Sequence, residues 1–215
     1  MQVSRPFRLL VWGDYALFTR PEMKVERVSY EIMTPSAARG ILEAILWKPQ
    51  MRWIVERIDR LKPVRFHAIR RNEVALKASP DRPEIRADDP DVRQQRAALV
   101  LRDVAYLVHA RIGLTERAGP EDSLTKYVVM FKRRAEAGQC HKQPCLGCRE
   151  FSAFFRLLAE DEPDPPADTS GNSRPGWIFY DWDFAKTPPQ PRFFEAVIEE
   201  GRMRVPPFES LEVRG

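Results

Sequence analysis

The stretch Met33-Thr-Pro-Ser-Ala-Ala-Arg-Gly-Ile-Leu-Glu-Ala-Ile-Leu-Trp-Lys-Pro49 does most to limit what this chain can fold into. It reads as one helix with both ends marked. Thr34 suits the N-cap and Pro35 the first helical position, where a missing N–H costs nothing. Pro49 stops the helix, because the residue before a proline is pushed out of the α region. At about 100° per residue, Ala38, Ile41, Leu42 and Ile45 share one face, and that face needs a sheet to cover it. Ser36, Arg39, Glu43 and Leu46 form the opposite ridge, so Leu46 is an apolar side chain on the polar side. Gly40 and Trp47 lie beside the ridge, with Lys48 following. Two readings stay open: a solvated face with a partly buried Trp, or an edge that receives a nucleic-acid backbone.

A sheet is available. Pro6–Trp12 reads as a strand that Gly13-Asp14-Tyr15 breaks. Residues 16–30 form a loop-rich excursion in which Phe18, Arg20, Lys24, Arg27 and Tyr30 mix cations with aromatics. That composition suits stacking and phosphate contact as well as an ordinary exposed loop. Met51–Lys62 fits strand or helical spacing, and its β-branched residues favour strand. Val64–Val74 returns as a second strand whose tail, Arg70-Arg71-Asn72-Glu73, puts two guanidiniums beside an amide. Residues 75–95 read as a mobile loop, and Ala97–Thr115 as an alternating strand. Ser123–Ala137 is a second helix, with Asp122 or Ser123 as N-cap and Gly138 as its stop. The remainder is mostly β: Phe154–Leu158, Trp177–Phe184, and a strand–turn–strand over Phe193–Val205. The acidic, Pro-rich stretch 161–175 between them is expected to be flexible.

The order β-α-β-β-loop-β-α predicts an α+β chain. Residues 1–138 are expected to form a ferredoxin-like, RNA-recognition-type domain, and residues 139–215 a small antiparallel β-rich C-terminal annex. At 215 residues and 43% hydrophobic content there is material for a packed core. Nothing approaches the roughly 18 consecutive apolar residues of a membrane span. The first residues lack the apolar core of a signal peptide, and three cysteines suit a reducing compartment, so a cytoplasmic protein is expected. Net charge is only +4, yet of 35 basic residues just 8 are lysine. Arginine's planar fork matches phosphate and stacks on bases.

Few residues offer chemistry. Cys145 and Cys148 have metal-ligand spacing, with Cys140 and His141 nearby, but no second Cys-x-x-Cys accompanies them, so no metal is expected. No Gly-rich phosphate loop and no nucleophile elbow is present. Lys126-Tyr127 remains: a lysine near a helix start can place a cation on a phosphate that gains charge in a transition state. A plain surface lysine fits the same position.

Four stretches together resemble one family. Gly13-Asp-Tyr-Ala-Leu-Phe-Thr19, Pro35 to Pro49, Arg70-Arg-Asn-Glu-Val74 and Leu146-Gly-Cys-Arg-Glu-Phe151 are similar to the family-five CRISPR-associated (Cas) proteins of type I-C systems, over nearly the whole chain. The resemblance implies a protein that binds CRISPR repeat RNA, cuts the precursor at the repeat hairpin without a metal or cofactor, and stays on the 5′ handle of the guide RNA. It implies partners in the Cascade complex: the repeating backbone subunit, the large subunit and, through the complex, target DNA, with no membrane. The RNA-binding residues expected are Tyr15, Lys24, Arg27, Tyr30, Arg39, Trp47, Lys48, Arg70, Arg71 and Asn72.

Cutting would proceed by attack of a ribose 2′-OH on the adjacent phosphate. That needs a base, a cation for the phosphorane and an acid for the 5′-oxygen. The family pattern has Tyr or His just before the Trp-Lys-Pro helix end and a Gly-Lys-His triplet at the second helix. Here these positions are Leu46 and Thr125-Lys126-Tyr127. Lys126 and Tyr127 are the catalytic candidates, with Tyr15, Tyr30 or His67 as further proton donors or acceptors. Leu46 is expected to be a changed site position. A non-cleaving 5′-handle-binding subunit is the alternative.

Overall fold

The computed structural model describes residues 2–81, 83–86 and 88–215. Its strands join in one sheet. The strands are β1 (Phe7–Ala16), β2 (Arg27–Val28), β3 (Met51–Arg60), β4 (Phe66–Val74), β5 (Arg93–Leu114), β6 (Phe154–Leu157), β7 (Ser173–Asp183), β8 (Gln190–Glu199), β9 (Arg202–Arg204) and β10 (Val213–Arg214). They run in the order β10-β8-β9-β3-β5-β1-β6, with β7 on β8 and with β2 and β4 on the first half of β5. All pairings are antiparallel except β2 with β5. Because β5 is 22 residues long, its first part leaves the central sheet and pairs with β4 as a projecting arm.

Helix α1 (Pro35–Ile45) and helix α2 (Leu124–Glu136) pack on one side of this sheet. Both caps follow the sequence: the Thr34 hydroxyl accepts from Ala37 N–H, and the Ser123 hydroxyl from Lys126 N–H. Gly138, at φ +64°, takes the left-handed turn after α2. Ala38, Ile41, Leu42 and Ile45 are all buried, as the 3.6-residue period requires. Phe7, Trp53 and Phe131 interlock edge to face beneath α2 at 4.6–5.9 Å.

Three expectations need correction. Gly13-Asp14-Tyr15 does not break β1, which pairs with β5 as far as Ala16. Gly13 is there because a Cβ would stand 2.6 Å from Leu146 and 2.9 Å from the Ser152 carbonyl, where the loop 144–152 presses on the strand. The acidic stretch 161–175 is tied down rather than loose. Arg8 reaches the carbonyls of Ala159, Glu160 and Glu162 and the Asp164 carboxylate. Asp168 pairs with Arg60 at 3.1 Å, both about 6% exposed. Third, Leu46 is fully buried rather than on a polar ridge. It caps α1 in an extended conformation, φ −147° and ψ 120°, so the helical period that put it outside ends one residue earlier.

The residues after 138 extend the same sheet through β9 on β3 and β6 on β1, and share one core with the residues before it.

Candidate nucleic-acid interface

Two separate regions receive the residues singled out in the sequence. The first lies where α1 ends and α2 begins. Trp53 joins the two: its indole N–H donates to the Leu46 carbonyl at 2.9 Å, and its ring packs on Phe131, one turn beyond Tyr127. Trp47 is 55% exposed, and Lys48 beside it is exposed.

Lys126 is exposed on the first turn of α2. Its ammonium contacts the Asp122 carboxylate and the Glu121 carbonyl, each at 3.3 Å. Tyr127 is buried, and its hydroxyl donates to the same Asp122 carboxylate. Asp122 therefore organises both catalytic candidates. The sequence offered it only as an N-cap, although its place four residues before Lys126 was a signal. Burial, then the Asp122 hydrogen bond and charge, push the Tyr127 phenol up to about 12. The Tyr127 hydrogen bond, followed by Gly119 N–H and Lys126, holds Asp122 below the usual carboxylate range. A phenol in that state is no base at neutral pH. A lysine with one carboxylate partner and open access remains able to meet a phosphate.

The second region is the arm and the end of β1. Tyr15 and His67 face one another at 5.7 Å between ring centroids. Tyr15 stands eight residues along β1 from Phe7, which touches Phe131, so at about 3.3 Å per residue the pair is about 26 Å from that contact. This distance removes Tyr15 and His67 from proton transfer at Lys126. Tyr30 lies beneath the surface. It is 1% exposed, with its hydroxyl on the Trp177 carbonyl and Arg20 over its ring at 4.7 Å. Burial, with the Glu22 charge, raises its pKa.

Strand alternation divides the Arg70–Glu73 run. Arg70 and Asn72 point to solvent, while Arg71 and Glu73 face inward. Arg71 is 10% exposed and holds Glu150 at 2.9 Å and Glu73 at 3.1 Å. Its Nε has no hydrogen-bond partner and the Glu73 contact of its Nη2 lacks hydrogen-bond geometry, so two bonds from Nη1 to the Glu150 oxygens, at 2.9 and 3.1 Å, hold the side chain. Arg27 and Arg96 reach the same Glu73 at 3.6 and 3.4 Å. Arg71 thus pins the loop that carries Glu150, with its guanidinium turned to carboxylates, while its neighbour Arg70 is the one exposed to solvent. Lys24 is exposed before β2.

Arg39 is not free either. It holds Asp181 of β7 in a two-bond fork at 2.5 and 3.0 Å and Glu43 at 2.7 Å. Burial works against its charge, but the Asp181 hydrogen bond and charge, with Glu43, outweigh that and raise its pKa. Arg39, expected at the RNA, stands in this structure as a clamp between α1 and β7.

The cysteines form no metal cluster among the described residues. Burial and the neighbouring Cys148 push the Cys145 thiol up, away from the thiolate a metal needs. The grouping that does have ligand-like spacing is Asp59, His109 and Asp164. Arg57 already supplies its cation, at 2.7 Å from His109 Nε2, 2.8 Å from Asp59 and 3.2 Å from Asp164.

Comparison with known proteins agrees with this architecture. A sequence-family model described as "CRISPR-associated protein (Cas_Cas5)", in its Cas5d form, matches residues 7–208. A protein of Mannheimia succiniciproducens named "CRISPR pre-crRNA endoribonuclease Cas5d" is 48% identical over 225 residues, covering 99% of this chain and all of the relative. A protein of the same name from Thermus thermophilus is 43% identical over 220 residues, covering 93% of this chain and 90% of the relative. A solved structure titled "Crystal Structure of CRISPR-associated Protein" superposes over the whole chain with a TM-score of 0.75 at 22% identity, a likeness of fold. Among the described residues no helix is long and apolar enough to cross a membrane.

Proposed function

The chain belongs to the Cas5 family of CRISPR-associated proteins, of the type I-C kind, and on that premise we propose that it binds CRISPR repeat RNA, cuts the precursor guide RNA at the repeat hairpin without a metal, and stays on the 5′ handle as a Cascade subunit. The observation that carries this is the full-length similarity to two proteins named pre-crRNA endoribonucleases, joined to an exposed Lys126 at the start of α2. The fold supports it. Strands β3-β5-β1-β6 with α1 and α2 have the connectivity expected of a ferredoxin-like, RNA-recognition-type unit. We take residues 1–138 as that unit and 139–215 as the β-rich annex, which lends β6 to its edge. Exposed Trp177, Trp182 and Phe184 on and just beyond β7 make the annex the face for Cascade neighbours, the backbone and large subunits. Target DNA would meet the protein only through the complex.

In the cleavage step the 2′-hydroxyl gives its proton to a base as its oxygen bonds to phosphorus, and the P–O5′ bond breaks as the 5′-oxygen takes a proton from an acid, giving a 2′,3′-cyclic phosphate and a 5′-hydroxyl. Lys126 Nζ offsets the charge on the phosphorane, and a well-placed donor of this kind is worth roughly 3–4 kcal/mol. Tyr127, 2% exposed, supplies the acid half in this reading only once RNA binding opens its bond to Asp122 and brings the hydroxyl to the surface. Trp47, Lys48, Lys24, Arg70 and Asn72 are the exposed residues offered to the RNA, with Tyr15 and Arg27 half-buried behind them.

The second reading, a 5′-handle-binding subunit that does not cut, is favoured by one observation: Leu46 and Tyr127, where a base is needed, are a buried aliphatic and a phenol with its pKa at about 12. Single-turnover cleavage of a labelled repeat hairpin in chelator separates the two. Cutting that is lost in Lys126→Ala with binding retained supports the enzyme. Tight binding with no cutting by the wild type supports the handle-binding subunit.

A further inference from the structure

None of the residues assigned so far explains a cleft of about 310 Å³ between α1 and the loop 142–147. Its floor is the chain just beyond β1, including Thr19. Ser36 and Gly40 of α1 line it, with Lys142 and Gln143 of the loop and Phe179 of β7. A Cβ on Gly40 would meet nothing within 4 Å, so no packing requires a glycine there. Glycine inside a helix is less stable than alanine, and the bare backbone it leaves is the wall of the cleft.

The lining has the chemistry of a nucleotide. Lys142 is exposed and makes no ion pair with the described residues. The hydroxyl of Ser36, 3.1 Å from that of Thr34, lies at the start of α1, where the helix favours negative charge. Gln143 donates its amide N–H to the Ala153 carbonyl at 3.0 Å, which fixes the side chain and leaves its own oxygen to accept. Edge contacts to Trp182 at 5.7 Å and Phe193 at 5.8 Å hold the Phe179 ring. The volume is at the small end for ligand sites and suits one nucleotide rather than a helix.

We propose that this cleft takes a single unpaired ribonucleotide of the bound repeat RNA, with its phosphate toward Lys142 and Ser36 and its base against Phe179 and Gln143. The inference rests on the RNA-binding reading above. Stacking of one base on one ring, converted from its usual strength, is worth roughly five- to a hundred-fold in affinity.

The test scans the repeat RNA with single abasic substitutions at each unpaired position and measures binding in chelator to wild type, Gly40→Leu and Lys142→Ala. Leucine at 40 grows into open space, so Gly40→Leu is expected to melt at or above the wild-type temperature. One abasic position is expected to cost wild type roughly five- to a hundred-fold. Gly40→Leu should bind intact RNA as weakly as wild type binds that abasic RNA, and lose nothing further when the same base is removed. Lys142→Ala should weaken binding and lower its salt dependence. Indifference of wild type to every abasic position, or intact-RNA binding by Gly40→Leu at wild-type strength, overturns the inference and leaves the RNA-binding reading standing. A wild type that does not bind repeat RNA removes both.

Discussion

Leu46→Tyr is the most informative substitution, because it places one of the two residues that the family resemblance implies there, tyrosine or histidine, at a position that this structure buries. Leu46 is fully enclosed in the main core, with its carbonyl fixed by the Trp53 indole N–H at 2.9 Å. A tyrosine there adds ring atoms to a close-packed interior, a change that costs about 1–3 kcal/mol. Its hydroxyl would enter a site lined by apolar neighbours, and an unpaired buried hydroxyl costs about 1–3 kcal/mol more. A chain of this length loses about 2–4 °C in Tm per kcal/mol, so a fall of roughly 4–24 °C is expected. Cleavage should not rise, since the new phenol is directed into the core. The assays are thermal melting and single-turnover cleavage of the repeat hairpin in chelator, run below the variant's melting range. An unchanged Tm with faster cutting would refute the reasoning, because it would place the side chain at position 46 against the RNA.

Arg70→Ala should lower the slope of log affinity against log salt by roughly 0.7, one phosphate contact on single-stranded RNA, with Tm unchanged. Arg71→Ala should instead lower Tm and expose the 145–151 loop to protease while leaving the slope alone; the reverse pattern would exchange their roles. Asp181→Ala removes the fork that joins β7 to Arg39, and at about 1.5–3 kcal/mol for a hydrogen-bonded charge should lower Tm by roughly 3–12 °C. Asp164 and Asp168 both titrate below the ordinary carboxylate value of 3.8 in spite of burial: the Arg8 hydrogen bond, with His109 and Arg57, holds Asp164 down, and the Ser170 hydrogen bonds, then Arg60, hold Asp168 down. Groups depressed in the folded state stabilise it above their unfolded pKa, and that stability is lost as pH falls through the folded values. The protection of residues 159–168 against hydrogen exchange, taken relative to the intrinsic rate at each pH, should therefore be high at pH 5 and fall below about pH 3.8 before that of the central strands does. Equal protection factors at both pH values would show that these carboxylates do not hold the strap.

What the sequence determined by itself is local. Thr34, Pro35, Ser123 and Gly138 fixed where helices start and stop, because caps act on backbone groups within a few residues. Alternation fixed the strands, and four short motifs fixed the family. Partners distant in the chain decided the rest. Residue 46 lay on a polar ridge only while the helix was assumed to continue; one extended cap residue turned it into the core. Alternation separated Arg70 from Arg71, but only Glu150 and Glu73 made the second the inward one. Tyr30 looked like a stacking residue until Arg20 and the Trp177 carbonyl enclosed it. The acidic stretch 161–175 looked loose because its anchors, Arg8, Arg57 and Arg60, lie on strands more than a hundred residues earlier. Charge and periodicity say which side chains seek a partner; only the sheet order says which partner arrives, and so which cations are left over for RNA.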